Sequence, residues 1–315
     1  MIEKVGIVYW CDGAGHAARS IPVAKEFEAR GCEVAIGGGG QGEPFVDMNG
    51  FDQPELTKVA VKGSTPLSFL RHTLFDLIPS AGRRYRELDE WLAAEDPDVL
   101  VTDDIFAAIV AIRQGIDFYR IDHLTTELFG PVWGTPLSIY NDLSLRFGEG
   151  IVVSSLWADQ PDPPGITRVG PLAQEGDGEV EPYDVLLNPG THGENFAAIR
   201  EALDANGYDV RTVGDDEWET KPAMTPYTEA AEVVVCTGFS SIADTVVAGT
   251  PCVIYPFLPF QEALADRAEA LDIEGVSKAA SVTEVLDQVE GYCRSDATPD
   301  YDNGAPAFVD AVLDE

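Results

Sequence analysis

The first stretch of the sequence that could do chemistry is a Gly-rich turn within residues 9–20, YWCDGAGHAARS. It follows a short apolar run that predicts a buried strand, and it opens a predicted helix. The spacing Gly13-x-Gly15-x-x-Ala18 fits a dinucleotide fingerprint, in which glycines bring the backbone close to a diphosphate. His16 lies inside the same turn, and a histidine, with an ordinary pKa of about 6.5, can act as a general base. The turn therefore holds a phosphate or presents a base.

The dinucleotide interpretation lacks one of its parts. It requires an acid at the end of the second strand, about 20 residues further on, to hold the ribose hydroxyls. Here the second strand, EVAI, runs directly into Gly37–Gly40, and Glu33 lies before the strand end. The sequence therefore favours a general base at His16 over a dinucleotide-binding turn.

A second turn, TGFSS at residues 237–241, leads from an apolar strand into a helix. The first backbone N–H groups of a helix lack intrahelical partners, and with the helix dipole they form a site for a phosphate or diphosphate. Asp244, expected in the first turn of that helix, can accept hydrogen bonds from two neighbouring hydroxyls, as a ribose presents. The alternative for Asp244 is a carboxylate that only offsets the helix dipole.

Both turns belong to halves of the chain in which apolar strands alternate with amphipathic helices, the order that produces a parallel sheet. QPDPPG, residues 160–165, has three prolines in six residues and opposes both helix and sheet, and the alternation restarts after it. We predict an α/β protein with two Rossmann-like doubly wound domains, residues 1–165 and 166–315, whose strand-end loops face each other across a cleft.

The composition restricts partners and environment. A net charge of −35, from 55 acidic and 20 basic residues, argues against nucleic acid as a partner. Only six of the basic residues are Lys, which is typical of proteins from salt-accumulating halophiles such as halophilic archaea. Five scattered cysteines predict free thiols, and neither a membrane span nor a signal peptide is evident, so we expect a cytoplasmic protein.

From residue 236 onwards the sequence resembles the donor-sugar domain of GT-B glycosyltransferases, especially the MurG-like and related nucleotide-sugar-dependent families. The shared pattern is a Gly/Ser turn, an acid five residues before Gly-x-Pro, a strand ended by Pro, and a Gln-containing loop. The resemblance implies these donor-binding residues: Gly238, Ser240 and Ser241 for the diphosphate, Asp244 for the ribose, and Gln261 for the sugar hydroxyls.

The first half also resembles this superfamily. GAGH is similar to its Gly-rich first loop, so Gly13 and Gly15 are expected to form the acceptor-side loop. His16 stands at the position of the base in many inverting members, and Asp103, which ends the strand VLVTD, matches the acid near that base. Asp104 remains an alternative partner for His16.

A third loop and two departures complete the resemblance. NPGTHG matches the first Gly-rich loop of the donor domain, so Gly190 and Thr191 are expected to face the diphosphate, with His192 assisting. Trp218 stands where the superfamily contacts the nucleotide base, although an aromatic residue there can also serve packing alone. Asp244 replaces the usual Glu, and Leu264-Ala265 replaces the usual Asn-Ala, which leaves the identity of the sugar open.

The resemblance implies an inverting, metal-independent hexosyltransferase that moves a sugar from a nucleotide diphosphate sugar, UDP-linked, to a hydroxyl acceptor. It needs no cofactor, because backbone N–H groups rather than a metal would meet the charge of the leaving diphosphate. Two alternatives remain. A nucleotide-sugar 2-epimerase of the same architecture would release a free epimer, and a noncatalytic nucleotide-sugar-binding protein would tolerate the loss of His16.

Residues 67–86 bear on the acceptor, because they combine apolar side chains with a local excess of positive charge. Such a segment could line an acceptor channel or touch an anionic lipid surface at the inner face of the membrane, as in MurG-like enzymes with lipid-linked acceptors. The alternative is a core-packed helix with a solvated Arg edge. The basic residues concerned are Arg71, Arg83, Arg84 and Arg86.

Overall fold

Two parallel β-sheets with packed helices form the protein, which confirms the predicted pair of Rossmann-like α/β domains. The computed structural model describes residues 2–59, 76–123, 131–157, 164–190, 193–216 and 218–313, and of residues 131–137 only the backbone.

The first sheet has six parallel strands in the order β2-β1-β3-β4-β5-β6. Val5 and Ile7 on β1 pack on one face of this sheet, whereas Val8 packs on the other, so the strand is apolar along its length. The strands are β1 (Lys4–Val8), β2 (Glu33–Gly37), β3 (Val99–Thr102), β4 (Asp117–Asp122), β5 (Gly150–Ser154) and β6 (Ile166–Val169). The helices between them are α1 (Ala14–Ala29), α2 (Glu43–Met48), α3 (Ile78–Glu95), α4 (Ile105–Gln114) and α5 (Pro131–Phe147).

The second sheet has five parallel strands in the order β8-β7-β9-β10-β11. Along β9, Val233 and Val235 enter one apolar core and Val234 enters the core on the opposite face. The strands are β7 (Tyr183–Asn188), β8 (Val210–Thr212), β9 (Ala231–Cys236), β10 (Cys252–Ile254) and β11 (Val276–Lys278). The helices are α6 (Gly193–Ala205), α7 (Thr225–Glu229), α8 (Phe239–Val247), α9 (Pro259–Ala270) and α10 (Val282–Tyr292).

Both sheets share one topology. The first strand of each domain pairs with the second strand on one side and the third strand on the other, so the strand order reverses between β1 and β3 and between β7 and β9. The loops that leave the carboxyl ends of such neighbours diverge to opposite faces and open a crevice, where ligands of doubly wound sheets bind. The predicted site residues follow these four strands, except Gln261, which follows β10.

Two segments that the sequence placed in the second domain pack with the first. Strand β6, which begins one residue after the predicted boundary at 165, pairs with β5. A last helix, α11 (Ala305–Leu313), buries Phe308 and Val312 in the core that covers α1, and Arg30, the residue after α1, donates to Asp310 at 2.7 Å. The first domain therefore extends beyond residue 165, because the short β6 needs a sheet edge and α11 needs an apolar partner.

The basic segment differs from its predicted arrangement. Residues 67–75 lie outside the part of the chain that the structure describes. Arg84 is fully buried: its Nε donates to Asp104 at 2.6 Å and its Nη1 donates to the Gly38 carbonyl at 2.8 Å. The prediction of a solvated or lipid-facing Arg edge is therefore wrong for Arg84, although Arg83 is exposed. None of the described helices is long and apolar enough to cross a membrane.

Candidate functional site

The loops after β1 and β9 face each other across a cavity of about 630 Å³ between the two domains. This cavity brings together most of the predicted site residues. From the first domain it is lined by Gly13, Gly15 and His16. From the second domain it is lined by Gly190, Gly238, Ser240, Ser241 and Asp244. Thr191 and His192 lie outside the described residues.

His16 lies in the first turn of α1, directly in front of Asp103. The helix begins at Ala14, after Gly13 turns the chain with a φ of 98°, a conformation that favours glycine. His16 Nδ1 lies 2.6 Å from Oδ2 of Asp103, which follows β3. The other oxygen of Asp103 accepts the backbone N–H of Trp10 at 2.6 Å. Neighbouring strands β1 and β3 therefore bring the predicted base and acid together.

The electrostatics of Asp103 determine which nitrogen of His16 carries the proton. Burial acts to raise the pKa of the Asp103 carboxyl, but the neighbouring charges of His16 and Arg19 and the hydrogen bonds from His16 and Trp10 outweigh it and hold the pKa well below its usual range. An ionised carboxylate only accepts, so Nδ1 of His16 donates to it in both protonation states of the ring, and in the neutral ring Nε2 keeps its lone pair. The His16 side chain is 27% exposed and lines the cavity, as a general base must.

Asp104, the alternative partner of His16, is occupied elsewhere. Its Oδ1 accepts the backbone N–H of Phe106 at 2.7 Å and so caps α4, while Oδ2 pairs with the buried Arg84. Burial raises the pKa of the Asp104 carboxyl despite the nearby Arg84. The geometry therefore assigns contact with His16 to Asp103 and a structural position to Asp104.

Two residues behind His16 were not predicted from the sequence. Arg19, three residues further along α1, places its guanidinium against Asp103 and also 2.8 Å from Nδ1 of His123, the residue after β4. Burial lowers the pKa of His123 well below its usual value, and the charges of Arg19 and His16 add to this shift. The i,i+3 spacing from His16 could have indicated Arg19. His123 could not be placed from the sequence, because it follows a strand, DFYRID, whose charged residues break the apolar pattern that predicts a strand.

The N-terminus of α8 faces the cavity from the opposite domain. Gly238 precedes the first helical residue, Phe239, and none of the described side chains caps this end, so the N–H groups of the first turn are available to a ligand. Ser240 Oγ donates to the carbonyl of Gly15 at 3.3 Å, which joins the starts of α8 and α1. Gly190, after β7, has a φ of 58° and lies beside this turn. The predicted diphosphate residues therefore share one end of the cavity.

Asp244 lies in the second turn of α8 rather than the predicted first. Its Oδ1 accepts the backbone N–H of Gln174 at 3.3 Å. Burial raises the pKa of Asp244 to about 7, with the Gln174 hydrogen bond acting in the opposite direction. A carboxyl five residues beyond the helix start is too far to cap it, and Asp244 lines the cavity.

Gln261 is not placed as predicted. Its side chain is buried, and Oε1 accepts the backbone N–H groups of Phe257 at 2.9 Å and Leu258 at 3.0 Å, at the start of α9. The orphan N–H groups of the helix therefore occupy the oxygen that was expected to reach the donor sugar. Gln261 does not line the cavity, and the predicted sugar contact has no support in this geometry.

The remaining predictions concern an aromatic residue and a metal. Trp218 lines the cavity and packs edge-on against Tyr227, with 5.1 Å between ring centroids. Its indole therefore both packs and offers a surface to a planar ligand. Among the described residues, no cluster of three or more His, Cys, Asp or Glu side chains is arranged to hold a metal ion.

Two archaeal proteins are similar to this chain in sequence. An uncharacterized glycosyltransferase from Methanosarcina acetivorans is 29% identical over 224 residues, 62% of this chain and 57% of that protein. An uncharacterized glycosyltransferase from Methanosarcina mazei is 23% identical over 299 residues, 78% of each chain. The chain thus spans less than two thirds of the M. acetivorans protein. No protein-family model matches the sequence.

Solved structures establish the fold. The glycosyltransferase SsfS6 from Streptomyces sp. SF2575, complexed with thymidine diphosphate, has a TM-score of 0.65 and 14% identity, over 99% of this chain and 100% of that one. MurG from Acinetobacter baumannii has a TM-score of 0.60 and 13% identity, over 99% and 100% of the chains. Together with the two facing parallel-sheet domains, these matches show that the chain has the GT-B fold of glycosyltransferases.

Proposed function

We propose that this protein is an inverting glycosyltransferase, which transfers a sugar from a nucleoside diphosphate sugar to a hydroxyl group of an acceptor. One observation carries the proposal: His16, held through Nδ1 by Asp103, faces the uncapped N-terminus of α8 across a single cavity. A base and an anion site on opposite walls are what displacement of a diphosphate requires. The archaeal relatives, both named glycosyltransferases, support the same activity.

The proposed reaction follows from these positions. Nε2 of His16 takes the proton of the acceptor hydroxyl while its oxygen forms a bond to the anomeric carbon. The bond from that carbon to the diphosphate oxygen breaks, and its electron pair leaves with the diphosphate, opposite the attacking oxygen, so the configuration inverts. Backbone N–H groups of Gly238 to Ser241, together with Gly190, meet the charge of the diphosphate. Asp103 stabilises the imidazolium formed on His16.

The donor is proposed to be UDP-linked, with Asp244 at the ribose and Trp218 beside the base. The cavity supports a nucleotide, because both side chains line it together with the α8 turn. SsfS6 was solved with thymidine diphosphate, and the rhamnosyltransferase SpnG with spinosyn aglycone, so TDP-linked donors and small-molecule acceptors belong in any test. Thr191 and His192 are proposed to assist at the diphosphate.

A lipid-linked acceptor and peripheral membrane contact through residues 67–86 stay predictions, as do the cytoplasmic location and the halophilic origin. Within the described part of that segment, Arg83 and Arg86 are exposed and Ile78 is 57% exposed, a combination that favours contact with an anionic amphiphile. Arg84 takes no part, because its guanidinium is buried.

Turnover measurements test the proposal. The purified protein in about 1 M KCl is incubated with UDP- and TDP-sugars and with small hydroxyl acceptors or cell lipid extract, and the release of nucleoside diphosphate is followed. We expect His16→Ala and Asp103→Asn to lower kcat by about 10²-fold or more, with little change in donor KM, because both act on proton transfer. Asp89→Asn, on the side of α3 that faces α4 and outside the cavity lining, is the matched control.

Each opposing outcome has a distinct meaning. Failure to release nucleoside diphosphate from any donor, together with failure to bind UDP or TDP, would reject the glycosyltransferase. Release of a free sugar epimer without an acceptor would identify the 2-epimerase. Unchanged turnover in His16→Ala would remove the proposed base.

A further inference from the structure

We propose that Arg19 is a positioning residue that holds His123 as a neutral imidazole with its proton on Nε2, so that His123 donates a hydrogen bond to a diphosphate oxygen in the cleft. The inference deepens the proposed glycosyl transfer and rests on it for the identity of the ligand. The guanidinium of Arg19 lies between two histidines and the carboxylate of Asp103.

Arg19 is buried and acts as a bridge. One of its terminal nitrogens, Nη2, and Nδ1 of His16 both donate to Oδ2 of Asp103, which brings these two donors to 2.6 Å from each other on one shared acceptor. The other terminal nitrogen, Nη1, lies 2.8 Å from Nδ1 of His123. The Arg19 side chain is only 7% exposed, and the ionised Asp103 offsets its charge. Because the guanidinium is planar and has two separated donor nitrogens, one residue can hold Asp103 and His123 in a fixed relation.

The chemistry of Arg19 determines the protonation of His123. A guanidinium has donors and no acceptor, and it stays protonated in proteins. Nδ1 of His123 therefore accepts from Nη1, and the single proton of the neutral ring is on Nε2. The charged or titratable groups around His123 agree with a neutral ring, since burial and the cations outweigh the carboxylates. These groups are Arg19 and His16 from α1, Asp103 after β3, and Arg120 and Asp122 from β4.

The two histidines of the cleft are consequently set in opposite tautomers by one Asp–Arg pair. His16 gives its Nδ1 proton to Asp103 and presents a lone pair at Nε2, whereas His123 accepts from Arg19 at Nδ1 and presents a proton at Nε2. One ring can take a proton, and the other can only donate a hydrogen bond. A reaction that creates charge on a leaving oxygen while it deprotonates an alcohol needs both groups.

The position of His123 indicates its ligand. Its ring lines the cavity and lies 5.1 Å, centroid to centroid, from Phe239, the first residue of α8. The N–H groups of that helix start and the Nε2 proton of His123 are donors supplied to one end of the cleft by different domains. A diphosphate at the α8 N-terminus would therefore have donors from both, and a neutral donor adds no charge that would hold the product after transfer.

A tautomer measurement tests the inference without any turnover. The chain has four histidines, so the ¹⁵N signals of histidine-labelled protein can be assigned with single His→Gln variants. We expect His123 to show the Nε2–H tautomer and to stay neutral at pH 6.5 and above, because its pKa is lowered well below the usual value. Arg19→Met should produce a tautomer mixture, whereas the matched surface variant Arg113→Met should leave the signals unchanged. An Nδ1–H tautomer in the wild type, or an unchanged His123 in Arg19→Met, would overturn the role of Arg19.

A second pair of variants separates the cleft donor from structural support. The amide of Gln reaches the place of the ring Nε2, whereas the amide of Asn reaches only the place of Nδ1, where its oxygen can still accept from Arg19. His123→Gln should keep kcat within about 10-fold, and His123→Asn should lose about 10²-fold while its UDP or TDP affinity also falls. A higher kcat in His123→Asn than in His123→Gln would show that His123 only supports Arg19, and it would reject the role of His123 as a donor to the diphosphate. If the wild type turns over no nucleotide sugar, the proposed function fails, and the tautomer measurement still decides the position of the proton.

Discussion

Two carboxyl groups of the cleft, Asp103 and Asp244, have pKa values displaced in opposite directions. Asp103 faces Arg19 and His16, which keep it ionised, whereas among the described residues the Gln174 amide alone donates to Asp244 against its burial. Such divergence is common where environments assign different tasks to chemically similar groups. At Asp103 the charge is permanent and positions His16, while at Asp244 the charge is costly until a ligand supplies further donors.

Asp244 gives the ligand-free protein a pH dependence. Its pKa of about 7 in the folded protein exceeds its usual value of 3.8, so the contribution of this group to stability is complete below about pH 4 and is lost as the pH rises through 7. Asp244→Asn removes this titration. The difference in free energy of unfolding between Asp244→Asn and the wild type should therefore grow in favour of the variant by about 2–3 kcal/mol from pH 5 to pH 8.

Urea unfolding at several pH values, followed by circular dichroism, measures this difference. The exposed Asp52→Asn is the matched control and should show a flat difference. A flat difference for Asp244→Asn as well would mean that the carboxyl has its usual pKa in the folded protein.

At the scale of elements, Arg84 fastens α3 to the loops beside the site. Its guanidinium pairs with Asp104, which caps α4, and donates to the carbonyls of Gly38 and Thr57. Removal of one member of a buried, hydrogen-bonded ion pair leaves the other charge uncompensated. Arg84→Met should therefore lower the free energy of unfolding by about 3–5 kcal/mol.

The neighbouring Arg83 supplies the control, because it is on the same helix and is exposed. Arg83→Met should change the free energy of unfolding by less than about 0.5 kcal/mol in the same urea titration. Equal effects of the two variants would show that Arg84 is not held in the interior of the folded protein in solution.

The elements that the sequence predicted are those whose patterns are local. Apolar runs followed by Gly-rich turns identified β1 and β9, and helix-start chemistry identified the α8 turn. The pairing of His16 with Asp103 could be expected because the ends of parallel strands share one edge. The sequence did not predict β4, because Arg120 and the strand's acidic residues interrupt the apolar run. In the fold Arg120 is only 3% exposed and pairs with Asp122.

Side-chain partners across elements were less accessible to sequence reasoning. Arg84 lies in a run of arginines, and nothing local distinguishes the buried one from its exposed neighbours. Gln261 occupies the same sequence position whether its amide faces a sugar or caps α9. The contact of Arg19 with His123 joins residues 104 positions apart. In each case the choice depends on the free energy of burial and pairing, which only the assembled fold determines.

At the scale of the whole molecule, the two domains are connected by more than the chain. The linker residue Gln174 donates its backbone N–H to Asp244 and its side-chain amide to Asn49 of the first domain, and its carbonyl accepts from Thr225. Together with the return of α11 to the first domain, these contacts tie the linker to the proposed ribose site. A ligand that hydrogen-bonds to Asp244 would therefore compete with the backbone N–H of Gln174 and loosen the connection between the domains.

The net charge of −35 makes the folded molecule repel itself, and salt should relieve this repulsion. The screening length falls from about 10 Å in 0.1 M salt to about 3 Å in 1 M salt. The free energy of unfolding at pH 7.5, measured with uncharged urea as denaturant, should therefore rise as KCl is raised between these concentrations. The same titration near the isoelectric point of about 4.1 is the control, because the net charge there is close to zero and the salt dependence should become shallow. A stability at pH 7.5 that is constant or falls with KCl would mean that the acidic surface is not what limits folding and would remove the physical basis for a halophilic origin.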